Sequence, residues 1–123
     1  MSYEIIWEPR GTVKRFFGRV TSHDMLQSVV DTESDTRFDD LLYVINDFRD
    51  IEELDLADTD IQEIAAIDNA ASRTNPRIKI AVVTTHAEII ALTNQYASSP
   101  LNAYPIRIFP TLAEARSWLG LKP

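Results

Sequence analysis

The sequence predicts a single α/β domain over residues 1–123, a mixed, mostly parallel five-stranded sheet with four helices in the order ββαβαβαβα. Three observations carry that reading. Short β-branched and aromatic runs alternate with amphipathic stretches from Thr21 onward, the pattern of parallel strands joined by helical crossovers. Three of the four helical stretches open on a Thr-x-x-acid box or a comparable cluster directly after a strand. Only Pro9-Arg10-Gly11, turn chemistry, separates the first two strands, so the first runs antiparallel to the second.

Tyr3 to Glu8 and Thr12 to Arg19 have strand composition, and Gly18 marks a bulge or a close approach late in the second. In that strand Lys14 shares a face with Phe16, a mixed face that suits a position near the sheet's edge. Thr21 to Asp24 forms an N-cap box for a helix with Met25, Leu26, Val29 and Val30 inward, ending before the polar run 31–36. Leu41 to Phe48 is near-continuously apolar, as a strand covered on both faces requires. It is expected to leave the sheet through Asp47-Phe48-Arg49-Asp50 into an acidic loop.

Asp58, Thr59 or Asp60 caps the second helix, whose inner face is Ile61, Ile64, Ile67 and Ala71. That helix stops near Asn75-Pro76. Ile78 to Thr84 is the next strand, and Thr85 to Glu88 opens a third helix with Ile89, Leu92, Thr93 and Tyr96 inward. Ile106 to Phe109 is the last strand. Thr111 to Glu114 caps the final helix, with Leu112, Ala115 and Leu119 inward and Gly120 ending it. The loops at 20–23, 47–60, 84–87 and 109–111 then share one edge of the sheet, the usual place for ligands in open α/β folds.

Composition excludes several functions. Without cysteine there is no disulfide, thiol nucleophile or thiolate metal site. No basic, apolar leader opens the chain and no apolar run spans a bilayer, so the expected location is cytoplasmic. A net charge of −7 argues against nucleic acid as a partner. Acidic residues crowd Asp31 to Glu63, whereas Arg10, Lys14, Arg15 and Arg19 make the first strands basic. That acidic stretch is a solubilising face or a surface selecting a basic partner.

Phe17-Gly18-Arg19-Val20-Thr21 with Asp24, Val44 to Asp50, Ile80 to Val83, and Ile108-Phe109 with Glu114 to Leu119 together resemble the SpoIIAA-like proteins of the STAS superfamily. The resemblance covers most of the chain in the right order. It implies a small α/β domain without cofactor or catalysis. In anti-sigma-factor antagonists of that group a serine at the start of the second helix is phosphorylated; the matching place here reads Leu56 to Ile61, with Thr59 its only hydroxyl between Asp58 and Asp60. A phosphate there would meet like charge, so Thr59 is read as an N-cap residue. The group is also similar to Sec14-type (CRAL-TRIO) lipid carriers, which implies an apolar ligand or a membrane surface.

No catalytic constellation stands out. His23 and His86 sit at expected helix starts and, with Asp47 or Asp50, could in principle hold a divalent metal, but their spacing fits no ligand motif, so no metal or cofactor is assigned. Asp47 and Asp50 bracket Arg49, and a carboxylate at the end of a central strand resembles the phospho-acceptor of response-regulator receivers, yet the acidic pair after the first strand and the lysine after the last that a receiver needs are missing; their expected role is hydrogen bonding in a turn. Trp7 and Trp118 read as core residues. If Trp7, Phe16 and Tyr104 lay exposed together, they would mark a dimer face or membrane contact.

The expected function is therefore a non-enzymatic binding or regulatory domain. Its partner would be another protein or a second copy of itself, met through Asp47, Arg49, Asp50, Asp58, Thr59, Thr85 and His86. The alternative is a carrier of a small apolar ligand or lipid, in a cavity lined by Met25, Tyr96 and the second and third helices, with peripheral membrane contact.

Overall fold

The computed structural model describes residues 2–122. Strands β1 (Tyr3–Glu8), β2 (Gly11–Thr21), β3 (Tyr43–Asp55), β4 (Lys79–Val83) and β5 (Ile106–Phe109) form one sheet in the spatial order β1-β2-β3-β4-β5. β1 pairs antiparallel with β2, and the remaining pairs are parallel. The helices are α1 (Ser22–Glu33), α2 (Asp58–Ala71), α3 (Ala87–Ser98) and α4 (Leu112–Trp118), with a 3₁₀ turn over Thr36–Asp40.

That strand order decides the layering. Each crossover from β2 onward steps one place in the same direction, and right-handed crossovers that never reverse lay their helices on one face. Residues of α1, α2 and α3 accordingly share the main core with Phe16, Val44, Ile80 and Val82. α4 packs on the other face. There Ala115 closes a smaller core over Val13, Tyr43, Ile45, Ala81 and Val83.

β1 to β5 lie where the sequence places them, with one difference. β3 does not leave the sheet at Asp47; it continues to Asp55. β4 pairs with it only as far as Asp47. β2 stays beside it, from Phe17 opposite Asp50 to Thr21 opposite Asp55, as a two-stranded parallel ribbon. The acids that read as a loop belong to a solvated strand, where Arg15 meets Asp50 at 3.0 Å and Arg19 meets Glu53 at 3.1 Å and Asp55 at 2.9 Å. Gly18, at φ +64°, occupies one of the two register shifts in the ribbon, as a bulge glycine should.

The caps divide. Thr21 and Thr111 accept from the N–H groups of Asp24 and Glu114 as expected. α2 begins one residue before the expected caps: Ala57 is the N-cap, and Asp60 turns back to accept its N–H at 2.8 Å. Thr59 is therefore an exposed first-turn residue with no capping bond. α3 starts at His86 rather than Thr85, with Thr84 Oγ1 accepting the His86 N–H at 2.9 Å. α1 runs on to Glu33, past the polar residues expected to stop it.

The condition for an aromatic contact face is not met: Phe16 and Tyr104 are buried and Trp7 half-buried. At the β1–β2 turn Gly11 lies under the Tyr43 ring, where a Cβ would enter the ring's own volume. Gly11→Ala is expected to cost about 2 kcal/mol by overpacking, read as a lower urea midpoint with unchanged slope.

Candidate functional site

The main core contains a polar cluster that its surroundings do not call for. Alternation along β2 sends Lys14 and Phe16 to the helix-covered face, and β2 is an interior strand, so Lys14 is buried rather than near an edge, with 5% of its surface exposed. Asn46 of β3 is its direct neighbour across the ladder, followed by Val82 of β4. Opposite them α2 turns inward Ile61, Ile64, Ala65 and Asp68, while the expected Ile67 and Ala71 pack half-buried against the same core. α1 turns inward Met25, Ser28, Val29 and Thr32, and its expected Val30 is exposed. α3 presents Ile89, Leu92, Thr93 and Tyr96, as its sequence indicates.

Between these helices and the sheet lies a cavity of about 100 Å³. Met25 and Tyr96 line it along with many aliphatic side chains, and Lys14, Glu33, Asn46 and Asp68 supply most of its polarity. The Tyr96 hydroxyl donates to Asp68 Oδ2 at 2.6 Å. Among the described residues, no carboxylate comes within 4.0 Å of the Lys14 ammonium. Asn46 Oδ1 and Thr12 Oγ1 are buried without a hydrogen-bond partner.

Burial dominates the electrostatics here. It pushes the Lys14 amine down to about 8, against the pull of Asp68, Glu33 and Asp31. It pushes the Glu33 carboxyl up to about 9, helped by a hydrogen bond and charge repulsion from Asp68. Two carboxyl groups sharing one apolar site cannot both ionise cheaply, so Glu33 keeps its proton. Tyr96 is raised as well, first by burial and then by Asp68.

The residues expected along the strand edge fall into two groups. Arg49 grips Asp47 through Nε at 2.9 Å and an amino group at 2.8 Å, while the Arg49 N–H donates to the same carboxylate at 3.1 Å. Burial would raise the Asp47 carboxyl, but these bonds outweigh it and hold the group low. Asp50 pairs with Arg15. Thr85 and His86 are exposed at the end of β4, level with Asp47. Asp58 and Thr59 stand eight strand residues further on, roughly 25 Å away at about 3.3 Å per residue. The structure thus brings Asp47, Arg49, Asp50, Thr85 and His86 to one level and puts Asp58 and Thr59 at the ribbon's tip.

Among the described residues no cluster of three histidines or acids is placed to hold a metal ion. No described helix is long and apolar enough to cross a membrane.

This architecture is the SpoIIAA-like fold. The anti-sigma factor antagonist SpoIIAA, solved in its unphosphorylated form, superposes with TM-score 0.65 at 11% identity, over 96% of this chain and 97% of its own. An anti-sigma factor antagonist from Mycobacterium paratuberculosis gives 0.61 at 14% identity, over 96% and 92%. An uncharacterised DUF3478-family protein with a SpoIIAA-like fold from Shewanella loihica gives 0.53 at 16%, over 95% and 91%. No family model and no curated protein matches the sequence. Such identities establish the fold, and the particular site must be argued from this chain's own residues.

Proposed function

We propose that the chain is a non-enzymatic regulatory domain that binds an extended basic segment of a partner protein along the free edge of β3. The observation carrying this reading is that Arg49 to Asp55 is paired with β2 on one side and, among the described residues, with no strand on the other. Unpaired strand edges accept an added strand through main-chain hydrogen bonds, and side chains select which strand is admitted. Here the selectors are Asp50, Glu52, Glu53 and Asp55, all exposed, with Asp58 and Thr59 at the far end. The incoming strand would continue the line of β4, entering above Thr85 and His86 and beside the Asp47–Arg49 pair. A second copy of the same edge would bring like charges together, so the acids favour a basic partner over self-pairing. The fold shared with anti-sigma factor antagonists supports a protein-binding role.

A peptide of alternating lysine and valine, titrated against labelled protein, is expected to shift the amides of residues 49–55. Reversing Glu52 and Glu53 to lysine should weaken binding by about tenfold or more and flatten its salt dependence. Binding that survives this reversal, or shifts confined to other surfaces, would overturn the proposal.

A second reading, a carrier of a small ligand, is favoured by the interior cavity and the unpaired Asn46 oxygen on its wall. A five-carbon alcohol raising the melting temperature in proportion to its occupancy is the expected sign.

A further inference from the structure

The cavity wall specifies its ligand more narrowly than an apolar carrier requires. Lys14 presents an amine with no carboxylate inside 4.0 Å, and Asn46 beside it offers a buried oxygen that lacks a donor. The rest of the lining is mostly aliphatic or aromatic, with Ser28, Thr32, Glu33, Asp68 and Thr93 as its other polar members. We propose that the cavity takes a small, neutral, apolar aldehyde or ketone and holds it as a reversible imine on Lys14. This inference rests on the ligand-cavity reading.

Size and charge select that class. An apolar cavity of ~150 Å³ takes a benzene ring, so this smaller one suits a chain of about five heavy atoms. An anionic head is disfavoured, because Glu33 and Asp68 already face the site and one of them keeps its proton for lack of room for a second negative charge. A neutral carbonyl adds no charge. Its oxygen can accept from Lys14, and the hydroxyl that forms from it can donate to Asn46 Oδ1.

The step balances without any oxidant or reductant. The free Lys14 amine adds its lone pair to the carbonyl carbon while the π pair moves onto oxygen. Protons pass from nitrogen to oxygen, with the neutral Glu33 carboxyl able to give one and take one back, so that a carbinolamine forms. The carbinolamine hydroxyl takes back the proton that the ammonium gave up in becoming the free amine, leaves as water, and the nitrogen lone pair closes the C=N bond as an iminium. Overall, one carbonyl and one lysine ammonium become one iminium and one water, and the site's charge does not change.

Lysines become carbonyl-reactive when an apolar site favours the free amine. Burial lowers Lys14 to about 8, so a substantial share is uncharged near pH 7.4, against about a thousandth for an ordinary lysine.

The chain carries its own controls, since Lys79 and Lys122 are exposed. The full-length protein is incubated with pentanal at pH 7.4, reduced with cyanoborohydride and mapped by peptide mass spectrometry. Alkylation is expected at Lys14 in about tenfold or greater excess over Lys79 and Lys122. Lys14→Arg should remove that adduct and leave the surface ones. Glyoxylate, an anionic aldehyde, is expected to spare Lys14; preferential labelling by it would overturn the assignment of a neutral ligand. Labelling of Lys79 and Lys122 with Lys14 untouched overturns the imine. If pentanol still raises the melting temperature in that case, the cavity reading survives; if it does not, both fall.

Discussion

Lys14→Met stabilises the fold at pH 7 by about 3 kcal/mol, the cost implied by a lysine lowered from 10.5 to about 8. The folded value lies below the unfolded one, so between about 8 and 10.5 the unfolded chain binds more protons. Stability contributed by Lys14 therefore rises across that window and is missing below it. Glu33 acts oppositely. Its folded value of about 9 lies above the ordinary 4.5, so its contribution is complete in acid and is lost as pH climbs toward 9. The native protein should weaken through neutral pH, stay level between about 8 and 9 where the two effects cancel, and recover above about 9, whereas Lys14→Met should weaken without recovering. Urea titrations at pH 5, 7 and 10 read both curves. A loss of stability in Lys14→Met at pH 7 would mean that Asp68 and Glu33 hold the ammonium more strongly than burial opposes it. A residue that weakens the fold where methionine would strengthen it points to a use other than packing.

Asn75→Ala is the largest expected loss, about 3 kcal/mol for two buried hydrogen bonds and a part-buried third. The Asn75 side chain is fully buried. Its amide donates to the carbonyls of Phe38 at 2.8 Å and Leu41 at 2.9 Å, and its oxygen accepts the Arg77 N–H at 3.0 Å. One side chain thus ties the 3₁₀ turn to the approach to β4. Asn75→Asp should be worse still, because an acceptor would replace the donor facing two carbonyl oxygens. Urea midpoints of the two variants check the order, and Asp as stable as Ala would contradict it.

The strands were plain in the sequence because β-branched runs with turn residues between them leave few alternatives. Thr21 and Thr111 were plain because a threonine and an acid three residues on satisfy each other locally. The course of β3 beyond Asp47 was not, since composition separates a loop from a solvated strand poorly; pairing with β2 makes it a strand, and pairing is not local. Thr59 and Thr85 had cap chemistry without the position, because α2 is capped two residues before Thr59 and α3 one residue after Thr85.

Asp68 escaped attention, and Lys14 was read as an edge position, for a related reason. Periodicity puts both on inward faces, Asp68 four residues after Ile64 and Lys14 two before Phe16. Hydrophobic bias then reassigns such residues to solvent. Charged residues in phase with an apolar stripe were the available signal for the cavity cluster, together with Asn46 inside the most apolar strand.

The spatial order β1-β2-β3-β4-β5 also bears on how the chain is made. Each strand that leaves the ribosome finds its neighbour already in place, so the sheet can grow by accretion without waiting for a distant segment. The reverse face is the exception. Val13, Tyr43, Ile45, Ala81 and Val83 stay open to water until α4, which emerges after all five strands, closes over them. A nascent chain stalled before Leu112 would thus carry a nearly finished sheet with one greasy side, the form in which this molecule is most exposed to chaperones and to aggregation.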